Sequence, residues 1–343
     1  MATPRTGPAP PRPTNEASTP TSRAKRLGGV ALALVTGLAM AVQSRVNGQL
    51  GTELNDSALA AVISFGGGLL LLLAWLAASR SMRRGLGRTV SAVRTGTLRP
   101  WQCLGGVAGA TYVLAQSLTV ALLGVAMFTV GVVAGQTVSG LLVDRAGLGP
   151  AGKRPSSWPR VLGALLTVLA VAGALVGDLA ENADLSRLWL LVLPCIAGAG
   201  MAVQQAFNGH VGAVSRSPLA ATLVNFTAGT AVLVLAWFVS LLTRGGPDAW
   251  PANPLLYLGG LVGILFIATA SFVVTWIGVL LLGLSSVAGQ LIGSVLLDAF
   301  LPAGVTRLTA STVIGCAVAL VAIAVAGLGG RRRGRALLKQ SGP

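Results

Sequence analysis

Met40-Ala-Val-Gln43 followed by Asn47-Gly48 recurs as Met201-Ala-Val-Gln204 followed by Asn208-Gly209. The spacing within each copy is the same, and the copies stand 161 residues apart. At that offset Gly51 also matches Gly212, Ala60 matches Ala221, Phe65 matches Phe226 and Gly68 matches Gly229. Further on the offset becomes 154. Gly105 then matches Gly259, Gly109 matches Gly263, Gly124 matches Gly278, and Asp144 matches Asp298. Val133-Ala-Gly-Gln136 likewise matches Val287-Ala-Gly-Gln290. The change of offset falls in an Arg-rich connection that is longer in the first copy, where added loop length costs little. A duplicated apolar unit with polar residues at fixed points is the pattern of a carrier made of two repeats.

Of the 343 residues, 53% are hydrophobic and 10% are charged. Soluble domains carry roughly 25% charged residues. Apolar stretches near the spanning length of about 20 residues recur from Leu27 to Leu328. The chain therefore reads as an all-α polytopic membrane protein. The alternating polarity of a membrane barrel is absent. A net charge of +16 is compatible with nucleic acid, but the basic residues lie between the apolar runs, which argues against that partner. The partners expected are the lipid bilayer and a small-molecule substrate, and a homodimer is compatible with the sequence. Cys103, Cys195, Cys316 and the lone His210 have no metal-ligand spacing, so no metal or cofactor is expected.

Ten helices are expected. The first half places them at about 27–47, 58–79, 101–121, 124–143 and 161–178. The second half places them at about 188–209, 218–241, 255–276, 279–298 and 308–328. Turns near Leu123-Gly124 and Ile277-Gly278 divide two apolar runs of about 40 residues, each too long for one crossing. With the N-terminus inside, all basic residues but Arg45, Arg187, Arg244 and Arg307 fall on the cytoplasmic side. The positive-inside rule is thus met with both termini cytoplasmic. Residues 1–26 are expected to be a disordered basic tail, 27–178 the first five-helix repeat, 188–328 the second, and 329–343 a second basic tail. Arg23 to Ala41 also has the form of a signal peptide with an A-x-A site. The recurrence of Met-Ala-Val-Gln at Met201–Gln204, deep in the chain, favours an uncleaved first helix.

Five helices per repeat is an odd number, so the second copy enters the membrane from the opposite side. The repeats are then inverted, related by a pseudo-two-fold axis in the membrane plane. Asn47 is expected near the outer face and Asn208 near the inner one. Asp144 should end its helix inside and Asp298 outside, both as solvated boundary residues.

Gln43 and Asn47 share a helix face, as do Gln204 and Asn208. An amide in lipid is costly without partners, so these should face the bundle interior. There they can bind a polar solute, cap helix ends or bond helix to helix. Gln136 and Gln290 each follow Ala-Gly, a small pair that admits a neighbouring helix, and both substrate contact and structural bonding are open to them. Gln116, Ser117, Thr119 and Ser271 are weaker candidates, and Tyr112 and Trp276 are further candidates to line a cavity. No Asp or Glu is placed mid-membrane, so coupling to protons is left open. No nucleophile and base pair, and no metal set, points to an enzyme. A non-transporting scaffold protein is the alternative to a carrier.

Gly37 through Gln43 with Asn47 and Ser64-Phe65-Gly66, and their counterparts Gly198 through Gln204 with Asn208 and Asn225-Phe226, resemble the YdcZ-like family of the drug/metabolite transporter superfamily. Gly135-Gln136 and Gly289-Gln290 add to the resemblance, which runs from about 27 to 328. It implies a ten-helix inverted-repeat carrier in the bacterial plasma membrane. Four helices of each half would surround a central cavity, with the fifth at the periphery. Members are usually described as inner-membrane exporters of small metabolites or drugs, without an assigned substrate. The leading substrate-binding residues are accordingly Gln43, Gln136, Gln204 and Gln290, with Asn47 and Asn208 next.

Overall fold

The computed structural model describes residues 23–149, 152–153, 158, 161–166, 168–169, 172–173, 190–247, 249–301 and 309–321. Residues 1–22 of the expected N-terminal tail, the C-terminal tail and most of the expected fifth helix lie outside these residues, while Arg23–Arg26, expected in the disordered tail, form the first turn of a helix. Among the described residues the chain is helical and has no strand. The main elements are α1 (Arg23–Glu53), α2 (Ser57–Ala78), α3 (Arg80–Arg94), α4 (Gly105–Ala146), α5 (Val192–Ser215), α6 (Pro218–Arg244), α7 (Gly259–Phe300) and α8 (Ala310–Val321). Five of the described helical segments are long and apolar enough to cross a membrane: Leu27–Glu53, Ser57–Ala78, Pro100–Ala146, Pro218–Thr243 and Leu282–Phe300.

The element boundaries repeat with the sequence. α4 and α7 each have 42 residues, and each follows a short 3-10 turn, Pro100–Leu104 and Pro254–Leu258. A helix of that length would be about 63 Å long, twice the roughly 30 Å apolar layer. In α4 the chain breaks at Gly124, whose φ of 78° and ψ of 163° suit a residue without Cβ. The expected turn near Leu123-Gly124 is therefore present. Side chains around the other expected turn, Ile277-Gly278, lie outside the described residues. α2 and α6 start alike: Asp56 accepts from the amides of Ala58 and Leu59, and Ser217, at the matching position, accepts from that of Ala220.

α2 shows why each helix faces as it does. Ala61, Ser64, Phe65, Gly68 and Leu72 follow helical spacing and are buried. Leu70, Leu71, Leu73 and Trp75 point outward and are exposed, as a lipid-facing stripe requires. The buried face of α2 meets that of α6, and the Phe65 and Phe226 rings stack with centroids 4.8 Å apart. α1 packs mainly on α7, and α5 mainly on α4. These contacts come in matched pairs. A Cβ on Gly37 would strike the Ser286 carbonyl, and one on Gly198 the Val132 carbonyl. A Cβ on Gly106 would strike the Asn225 carbonyl, and one on Gly260 the Ser64 carbonyl. Such backbone approach is how apolar helices gain contact in lipid, where burial from water does not drive association.

The Arg-rich connection differs from its expected form as a simple loop. Ser79 ends α2 in an extended conformation and caps α3 by accepting from the Met82 amide at 3.2 Å. α3 is amphipathic, burying Met82, Gly85, Thr89 and Ala92 while its arginines stay largely exposed. Gly85 lies against Ser217 and Ala220, and Arg88 Nε donates to the Ser215 carbonyl at 2.8 Å. The pattern was hidden by the charge density, since arginine is read first as a loop marker.

Candidate functional site

α1 carries Gln43, Ser44 and Asn47 on its inward face, all buried. Asn47 Nδ2 donates to Gln116 Oε1 at 2.8 Å, and Gln116 Nε2 donates to Ser44 Oγ at 2.7 Å. Ser44 Oγ in turn donates to the Met40 carbonyl at 3.0 Å. Gln290, arriving on α7, donates from Nε2 to the Tyr112 hydroxyl at 2.9 Å. That hydroxyl also faces Ser44 and Gln116, which joins α1, α4 and α7 in one polar cluster. The Tyr112 ring is held edge-on to Phe128, with centroids 5.7 Å apart. Gln43 Nε2 donates to the Gly259 carbonyl at 2.8 Å, where α7 begins.

A second cluster joins α5 and α6. Gln204 Nε2 donates to Asn225 Oδ1 at 3.1 Å, and Asn225 Nδ2 donates to Asn208 Oδ1 at 3.0 Å. The Phe65–Phe226 stack lies between the clusters. Gly109 is flanked by Gln204 and Phe65, and Gly263 by Gln43 and Phe226. Four of the six leading residues thus enter the two hydrogen-bonded clusters, and Gln43 bonds to a backbone carbonyl beside the stack. Gln136 is half-buried and makes no hydrogen bond among the described residues. Its counterpart Gln290 reaches a tyrosine, whereas the position matching Tyr112 in the second half is Phe266, which has no hydroxyl.

Two oxygens stand out. Asn47 Oδ1 and Ser64 Oγ are buried and have no hydrogen-bond partner. Both point toward Gly259, where a Cβ would meet them at contact distance or closer. Leaving such groups unpaired costs about 1–3 kcal/mol each.

Asp298 is not the solvated boundary residue expected. It is buried, and its carboxylate accepts from the Val125 amide at 3.0 Å and the Ala126 amide at 2.6 Å. The break at Gly124 makes these the first amides of a new helical segment, which lack intrahelical acceptors. Arg45 lies within electrostatic reach of the same carboxylate. His210 is half-buried, with Nε2 3.0 Å from the Leu148 carbonyl.

A family model with the description "Putative inner membrane exporter, YdcZ" matches residues 28–173 and again residues 189–325. The chain belongs to this family. As a YdcZ-family protein it is a membrane transport protein of the inner membrane, in a family of exporters and not of enzymes. The doubled match follows the repeat in the YdcZ-family chain itself. A solved crystal structure of a protein with 22% identity aligns at a TM-score of 0.52, covering 91% of this chain and 99% of its own. At that identity the likeness concerns the fold. No curated protein matches the YdcZ-family chain. In this YdcZ-family site, Ser44, Ser64 and Asn225 are the residues that the amide pattern alone did not single out. Their signal was position: Ser44 adjoins Gln43, while Ser64 and Asn225 correspond at offset 161 and each precedes a stacked phenylalanine.

Proposed function

We propose that the chain is a ten-helix secondary carrier that exports a small polar metabolite or drug across the plasma membrane by alternating access. Its halves, residues 27–178 and 188–328, are inverted five-helix repeats, and both termini are cytoplasmic. The observation that carries this reading is the set of reciprocal contacts about the Phe65–Phe226 stack. Each half lends its phenylalanine to a glycine of the other, Gly229 and Gly68. Such a contact can be exchanged between halves without a new fold. The glutamines beside it bond to exchangeable partners, Gly259 O and Asn225 Oδ1. A solute that supplies equivalent hydrogen bonds replaces them at small net cost. The unpartnered Asn47 and Ser64 oxygens favour a solute that brings a donor. Neutral amides favour a polar or zwitterionic solute over a bare cation.

A thermal-shift screen of neutral and zwitterionic metabolites and drugs on the purified protein identifies the solute to load into proteoliposomes. Gln43→Ala and Gln204→Ala should each lower its transport about tenfold, the value of one amide hydrogen bond. Undiminished transport by both variants at normal protein levels would remove these residues from the path. Single-cysteine labelling at 80–100 should find that connection cytoplasmic. Periplasmic labelling would overturn the inverted ten-helix arrangement.

A further inference from the structure

Between the end of α2 and the length of α3 runs an open groove of about 680 Å³. Leu73 and Leu76 of α2 and Leu86 and Val90 of α3 form its apolar wall, and Arg83 and Arg94 line it with charge. It continues the exposed leucine stripe of α2, so it opens toward the same layer that receives Leu70 and Leu71. Its volume is in the range of ligand sites.

We infer that this groove is a binding site for one anionic phospholipid, with an acyl chain on the leucine wall and the phosphate paired to arginine. Arg94 is the leading phosphate ligand, since its guanidinium makes no hydrogen bond among the described residues. Arg83 already donates to the Leu76 and Ala77 carbonyls and closes the end of α2. The charge of the site is not balanced within its own part of the chain. No Asp or Glu occurs between Asp56 and Asp144, while α3 carries Arg80, Arg83, Arg84, Arg88 and Arg94. Basic helices beside a membrane span draw anionic lipid, and an adjoining apolar face adds the acyl contact. Charge also decides against other occupants. Both tails of the chain are rich in arginine or lysine, and a second copy would present the same arginines.

Native mass spectrometry of the full-length protein tests the site with phosphatidylglycerol and phosphatidylcholine of matched acyl chains. One phosphatidylglycerol should be retained about tenfold over phosphatidylcholine. Arg94→Gln should cut that preference at least threefold. Gly87→Leu acts independently, because a Cβ at this groove-lining glycine meets nothing within 4 Å and the leucine occupies the groove. It should displace the lipid with all arginines intact. Circular dichroism and melting temperature confirm that both variants keep the native fold. Equal retention of the two lipids overturns the proposal. So does a phosphatidylglycerol preference that survives Gly87→Leu, which would place the lipid on the charged surface instead of in the groove.

Discussion

The two halves agree in where their backbones touch and disagree in how their amides bond. Gly106 of the first half meets Asn225 of the second as Gly260 of the second meets Ser64 of the first. Yet Asn47 bonds across to Gln116 on α4, while Asn208 bonds to Asn225 on the neighbouring α6. The position matching Gln116 is Ala270, and the position matching Asn225 is Ser64. Each half therefore has one partner that the other lacks. Backbone approach tolerates nothing larger than hydrogen at the contact, so it holds the halves to one geometry. Side-chain hydrogen bonds have several solutions within that geometry, and the halves use different ones. The outcome is that Asn47 Oδ1 and Ser64 Oγ have no partner among the described residues, while the matching Asn208 and Asn225 bond to each other.

The strongest test of the shared geometry is Gly106→Leu beside Gly260→Leu. Each should cost about 3 kcal/mol or more, because the obstructing atom is backbone carbonyl and cannot turn aside. Folded yield and melting temperature in detergent should fall together for both. Tolerance of one and not the other would show that the halves are less alike than their contacts imply. Tyr112→Phe gives the first half the residue found at 266 and leaves Gln290 Nε2 without its acceptor. A loss of about 1–2 kcal/mol is expected on thermal unfolding. No change would mean that Gln290 finds another acceptor as readily. The smallest effect expected is a gain. Ser64→Asn copies Asn225 and offers Asn47 Oδ1 a donor, so the melting temperature should rise by the equivalent of about 1 kcal/mol. Asn225→Ser should do the reverse, since Gln204 and Asn208 both lose their partner. A fall with Ser64→Asn would mean that the first half has no room for the amide.

Much of this was legible beforehand because it depends on period and length. The α2 and α6 bounds follow closely from the apolar runs, and the break in α4 from a run too long for one crossing. The amide positions were legible because polar groups in apolar helices are few. What was not legible depends on neighbours distant in sequence. Asp298 read as a helix-end residue, and only the fold brings it 172 residues back to the Ala126 amide. α3 read as a charged loop, and its buried face makes sense only once Gly85 has the 215–220 turn against it.

The sequence by itself determined the membrane-spanning class, the duplication and the positions of the polar residues within the apolar helices. These rest on local composition, helical period and the offset between copies, none of which needs a partner to be read. Tertiary structure alone decided which amide meets which acceptor and which oxygens go unpaired. It also decided that Phe65 and Phe226 stack between the two clusters. Hydrogen bonds and ring contacts are short-ranged, so their pairing is undefined until helices from both halves are brought within a few ångströms.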